Sequence, residues 1–85
     1  MKSIQFKLDA PDAEKVTVAG SFNNWDPEKT PLKKDKKGVW TKSIRLPKGW
    51  NEYKFVVDGQ WQDDPSCSNF VCNNLGGRNC VIVVE

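Results

Sequence analysis

The sequence predicts an all-β sandwich of about seven short antiparallel strands. Three observations carry that prediction. Apolar residues recur at every second position in several separate stretches, turn-forming residues interrupt the chain roughly every eight to twelve residues, and no stretch shows a helical stripe.

The first strand falls at residues 3–8, where Ile4, Phe6 and Leu8 alternate with Ser3, Gln5 and Lys7. The run 9–12, Asp-Ala-Pro-Asp, ends it with turn chemistry. Residues 15–19 form a second strand with Val16 and Val18 inward, broken at Gly20. Residues 21–27, SFNNWDP, read as a loop in which Phe22 turns into the core and Trp25 projects. Residues 29–33 fit a short edge strand with Leu32 as its apolar contact, and the charged run 33–37 fits a solvated hairpin turn ending at Gly38. Residues 39–46 alternate again, with Trp40, Ile44 and Leu46 on one face. Lys42 interrupts that inner series, so the strand is expected to be bulged or at an edge. Trp40 is then a core residue.

Pro47, Lys48 and Gly49 make a turn into the strand 50–58. Tyr53, Phe55 and Val57 share one face of it, Lys54 and Val56 the other. Asp58-Gly59 is the strongest hairpin signal in the chain, because glycine tolerates the positive φ of such a turn. Trp61 follows directly. Residues 62–77 hold Pro65, Gly76, Gly77 and several asparagines, and read as a long loop with one extended stretch at 70–72. Residues 78–85 close the chain as a strand with Cys80, Ile82 and Val84 inward. Beginning and ending in strands is the pattern of a whole small protein or of a trimmed module.

At 85 residues the chain supports one domain, spanning 1–85, with a modest core and little room for a deep cleft. No apolar run approaches the roughly 18 residues of a membrane span, and the N-terminus has no signal-like apolar region. A formal charge of +2 is too small to argue for nucleic acid. Cys67, Cys72 and Cys80 form an odd set, so one at least stays free in a monomer. That fits a reducing compartment, and a cytoplasmic location is expected. Without histidine, a zinc site lacks a fourth ligand and a Ser-His-Asp arrangement is impossible. No cofactor is expected. Asp63-Asp64 is the one adjacent carboxylate pair, and neighbours in a chain rarely converge on one glycosidic bond. A hydrated, locally capped turn is the expectation there.

Recognition is better supported than catalysis. Trp25 and Trp61 sit in turns among Asn, Asp, Gln and Gly, where a core residue is awkward to place. A flat indole beside hydrogen-bonding side chains suits a pyranose, whose C–H face stacks while its hydroxyls reach the amides and ammonium nearby. Bases also stack on aromatics, but the lysines cluster on the 33–37 turn rather than around the two indoles.

These residues carry a resemblance. VAGSFNNWDP, then YKFVVDGQWQDDPS, then NNLGGRNCVIVV, over residues 16 to 84, resembles the glycogen-binding domain of the AMP-activated protein kinase β subunit. It is also similar to the α-glucan modules attached to branching and debranching enzymes. The resemblance implies an immunoglobulin-like β-sandwich that binds α-1,4-glucans without catalysis. It implies that Trp25, Lys54, Trp61, Leu75 and Asn79 contact the sugar. The implied partners are an α-glucan polysaccharide or oligosaccharide and a kinase or amylolytic catalytic domain, with no nucleic acid and no membrane. A protein-interaction module that keeps the sandwich without using it for sugar is the competing reading. Gly77 stands where the family has a threonine that contacts sugar. Trp50 replaces a more polar residue; it either extends the stacking surface or covers an edge. Each site residue also has a plainer role: Trp25 capping the sandwich end, Trp61 packing on the hairpin, Lys54 as an outward lysine, Asn79 bonding loop backbone.

Overall fold

The structure, a computed structural model, describes residues 1–73 and 77–85. Its strands run β1 (Lys2–Asp9), β2 (Val16–Gly20), β3 (Lys33–Lys34), β4 (Val39–Leu46), β5 (Gly49–Val57), β6 (Gln60–Gln62), β7 (Phe70–Cys72) and β8 (Arg78–Val84). One sheet has the order β1-β4-β3. The other has the order β2-β5-β8-β7, with β6 also pairing with β5. All pairings are antiparallel. The expected all-β sandwich is borne out.

The inward residues of both sheets meet in one core. Phe6, Leu8, Trp40 and Leu46 come from the first sheet; Val16, Val18, Tyr53, Phe55, Cys80 and Val84 come from the second. Phe6 packs edge-on to Tyr53 and Phe55, with ring centroids 4.8 and 6.4 Å apart, so one phenylalanine bridges the two layers. Trp40 is buried as expected, and its indole N–H donates to the Ala10 carbonyl at 2.9 Å. Phe22 turns toward the core and lies 5.7 Å from Phe6.

Three expectations are corrected. The strand carrying Lys42 is neither bulged nor at an edge. Its ladder with β1 runs unbroken from Lys2↔Leu46 to Asp9↔Val39, and β3 pairs with its other side at Trp40 and Thr41, which makes it the middle strand of its sheet. Lys42 keeps the inward register, opposite Phe6, yet stays exposed, because a long aliphatic stem lets its ammonium reach water. The short edge strand expected at 29–33 is split. Hydrogen bonds from Val18 to Thr30 and from Leu32 to Val16 flank a single bridge between Thr17 and Pro31 on β2. The chain then crosses to the other sheet, and only Lys33–Lys34 forms a strand. Finally, the cysteines are not all reduced: Cys67 and Cys80 are bonded to each other, with Cα atoms 6.1 Å apart, while the exposed Cys72 is free, as the odd count requires. The bond closes because the loop after β6 folds over the inner end of β8, a proximity that the spacing of the cysteines does not reveal.

The turns behave as their residues dictate. Asp58 and Gly59 have φ of 49° and 83°, the positive values of a tight hairpin, so β6 folds straight back on β5. The Asp58 carboxylate also accepts from the N–H groups of Glu14 and Lys15, tying the hairpin to the start of β2. In the 33–37 run, Asp35 accepts from the N–H groups of Lys37 and Val39. Those backbone bonds hold its carboxyl below the usual range.

Candidate functional site

The outward face of the five-stranded sheet collects the chemistry. On β5 the outward series is Trp50, Glu52, Lys54 and Val56. The ladders place Trp61 of β6 opposite Val56, and Val81 and Val83 of β8 opposite Glu52 and Trp50. Asn79, two residues before Val81, shares that face and lies opposite Val71 of β7. Residues far apart in sequence thus become neighbours through sheet order alone.

Trp61 is 48% exposed, because β6 is short and nothing covers its outer side among the described residues. Its hairpin partner Val56 is buried although it belongs to the outward series, so the other half of the ring is covered. Lys54 is not a free surface lysine. Its ammonium donates to Asp63 at 3.0 Å and to the Arg78 carbonyl at 3.1 Å, and only 17% of its side chain is exposed. Asp63 holds Arg78 at the same time, through Nε at 2.9 Å. The Arg78 guanidinium lies 3.8 Å above the Phe70 ring. The Arg78 hydrogen bond first, and then that of Lys54, keep the Asp63 carboxyl below its ordinary range.

Asn79 is buried and bonds side chains rather than loop backbone. Its amide NH₂ donates to Glu52 at 3.1 Å, and its carbonyl accepts from the Asn73 amide at 3.1 Å. Asn73 in turn accepts from the N–H of Gly77 at 3.0 Å. Glu52 accepts from the Trp50 indole N–H at 2.9 Å. A chain of hydrogen bonds therefore runs across the face from Trp50 through Glu52 and Asn79 to Asn73.

The loop that carries Trp25 is tied to the same sheet by a different device. Its N–H donates to the Gly20 carbonyl at 2.9 Å, at the end of β2. The following residue, Ser21, exchanges bonds with Glu52: its N–H donates to the Glu52 carbonyl and its hydroxyl accepts from the Glu52 N–H. Asn24 and Trp25 both have left-handed backbones, with φ of 57° and 58°. Such residues cost on the order of 1–3 kcal/mol each and persist only where the surroundings impose them. Here the imposing group is Asn23, which is buried. Its carbonyl accepts from the Gly20 N–H at 2.9 Å, and its NH₂ donates to Val18 and Thr30, both at 3.0 Å. Gly20 leaves no room for a side chain: a Cβ there would lie 2.4 Å from the Glu52 carbonyl. Trp25 itself is half-buried. Leu75 lies outside the described residues.

The Asp63-Asp64 turn is locally capped as expected, through the Asp64 carboxylate, but Asp64 is not hydrated. Asp64 is buried and accepts the Tyr53 hydroxyl at 2.5 Å and the Ser66 N–H at 2.9 Å. Burial first, then that carboxylate, holds the Tyr53 phenol well above its usual range. The two neighbours point to different sides: Asp63 to the outer face, Asp64 to the core. Glu52, Asp63 and Asn73 were missed as supports of the site. Glu52 was legible, since it shares the outward series of Lys54; Asp63 and Asn73 carry no local signal. Among the described residues, no cluster of His, Cys, Asp or Glu is placed to hold a metal ion.

A rigid sandwich that presents an exposed ring among fixed hydrogen-bonding groups on one sheet face defines a carbohydrate-binding module. Comparison with known proteins agrees. The chain belongs to the family described as the glycogen recognition site of AMP-activated protein kinase, which matches residues 3–85. It is similar to 5'-AMP-activated protein kinase subunit beta-1 of Homo sapiens, 42% identical over 72 residues, covering 85% of this chain and 25% of the relative. Subunit beta-1 of Bos taurus is 43% identical over the same shares. Subunit beta-2 of Mus musculus is 43% identical, with 26% of its length covered. The chain thus spans about a quarter of the length of these relatives.

Proposed function

We propose that Trp25 and Trp61 stack on glucose faces of an α-1,4-glucan, that Lys54 and Asn79 bond its hydroxyls, and that Leu75 fits its concave side. Glycogen, starch and maltooligosaccharides share the backbone this arrangement would read. The observation that carries the reading is the Trp61 ring, half uncovered on the face where Lys54 and Asn79 are held in place by Asp63 and Glu52. Groups fixed before the sugar arrives lose little freedom on binding, which offsets part of the cost of a shallow platform. Gly77 supplies no side-chain hydroxyl, so the affinity is that of the remaining anchors.

The module acts without catalysis in this reading, over the single domain 1–85. Its relatives are named as kinase subunits, so a kinase is the assembly it serves; an amylolytic catalytic domain is the other parent that such modules have. A cytoplasmic location goes with the kinase. The Cys67–Cys80 bond stands against it, since disulfides are rare in reducing compartments, and thiol alkylation of protein taken directly from cells decides the point. The test of the sugar reading is retention on amylopectin. Trp61→Ala and Trp25→Ala abolish retention while circular dichroism and melting remain those of a folded sandwich. Full retention by both variants rejects the platform and leaves a protein-interaction role.

A further inference from the structure

We infer that Trp50 forms an additional stacking subsite on the same sheet face, one that engages long α-glucan chains and not short or cyclic ones. The inference rests on the glucan reading above. Trp50 is 58% exposed, more than Trp61, and Val83 directly across the ladder is 53% exposed. Together they make an uncovered apolar patch at the end of the outward series that also carries Lys54.

The ring is not a loose surface side chain. Its N–H is bonded to Glu52, whose other carboxylate oxygen accepts from Asn79. One carboxylate therefore orients both the indole and the amide proposed to bond sugar. A flat ring with its polar edge already satisfied presents an apolar face, and the carboxylate beside it accepts hydroxyl protons. That combination matches a pyranose better than the apolar side chains of a protein partner. Continuity with the central site selects the occupant. Trp50, Glu52 and Lys54 stand in one row on β5, so a glucan over Lys54 and Asn79 passes over Trp50 when it extends along the strand.

Distance sets the length dependence. Trp61 pairs with Val56, six residues from Trp50 along β5, which is roughly 20 Å of strand. A maltotriose or the closed ring of β-cyclodextrin centred on Trp61 and Lys54 reaches no further than the Asn79 amide and leaves the outer face of the Trp50 ring uncovered; a long linear chain that continues past Glu52 covers it.

The test compares the whole chain with Trp50→Ala and Trp50→Phe by calorimetric titration, using β-cyclodextrin, maltotriose and a long linear maltodextrin. The expected result is that Trp50→Ala weakens the maltodextrin about three- to tenfold and β-cyclodextrin less than about twofold, the smaller effect being that of losing the indole bond to Glu52. Trp50→Phe, which keeps a ring and loses the N–H, recovers most of the loss. Equal weakening of all ligands overturns the proposal, because Trp50 then acts by holding Glu52 and Asn79. Unchanged binding of every ligand also overturns it. If the unaltered chain binds no α-glucan, the underlying reading fails and this one with it; a chain that binds the three ligands with no effect of Trp50→Ala fails this one alone.

Discussion

Replacing Asp63 by asparagine probes an ion-pair centre of the candidate site. Asp63 holds Lys54 at 3.0 Å and Arg78 at 2.9 Å. Asparagine keeps the shape and removes the charge. The Arg78 arm contributes little, because that side chain is 56% exposed and water screens the pair. The Lys54 arm matters more, since its side chain is largely out of water and the asparagine carbonyl accepts from the ammonium only as a neutral group, beside the Arg78 carbonyl. A charge-assisted bond in that setting is worth about 1–2 kcal/mol, so the loss is about 1.5 kcal/mol in all. At roughly 4–8 °C per kcal/mol for a domain of this size, the melting temperature falls by about 6–12 °C.

The pH dependence gives a second readout. The folded-state carboxyl of Asp63 titrates below its unfolded value, with Arg78 the larger cause and Lys54 the next. The stabilisation is therefore fully present above the unfolded value, near pH 4, and is lost as pH falls through the lower folded value. The gap between the unaltered chain and Asp63→Asn stays constant from about pH 5 to 8 and closes below about pH 4. Calorimetric melts over that range measure both. Equal melting temperatures at neutral pH, or a gap that widens on acidification, would refute the clamp. Titration with β-cyclodextrin shows whether the clamp also serves binding: a Lys54 released from Asp63 lowers affinity several-fold.

Trp61→Ala weakens β-cyclodextrin by about thirty-fold, because covering one face of a ring that is 48% exposed removes roughly 80 Å² from water, about 2 kcal/mol. A change under threefold by calorimetry argues against stacking at that ring. Asn23→Ala leaves the Gly20 N–H and the Val18 carbonyl without their side-chain partner. It costs about 2–3 kcal/mol by thermal melting and releases the loop that carries Trp25, so sugar affinity falls with stability. Reduction of the Cys67–Cys80 bond, which spans a sequence separation of 13, lowers stability by about 3 kcal/mol in denaturant titrations. A reduced, alkylated chain as stable as the oxidised one overturns that figure.

Period-two alternation was enough to place Phe6, Leu8, Tyr53 and Phe55 inward and Lys54 outward, because a strand exposes alternate residues to opposite faces whatever its neighbours are. Asp58-Gly59 announced its hairpin for a similarly local reason: positive φ is a property of those residue types. The same rule failed at Lys42, where an interrupted apolar series hid a regular ladder, and at residues 29–33, where chain direction, not pattern, switches the segment between sheets.

The motif strings sufficed to name the family, and with it the rings and polar groups proposed here to meet the sugar. How those groups are held was decided by the tertiary structure. Asp63 meets Lys54 because β6 folds back on β5; Asn79 meets Glu52 because β8 lies beside β5; Cys67 meets Cys80 because the loop after β6 returns over the core. Sequence periodicity determines which face a side chain takes. Which other side chain lies across from it depends on strand order and register, and those are settled by long-range pairing that no local stretch of residues contains.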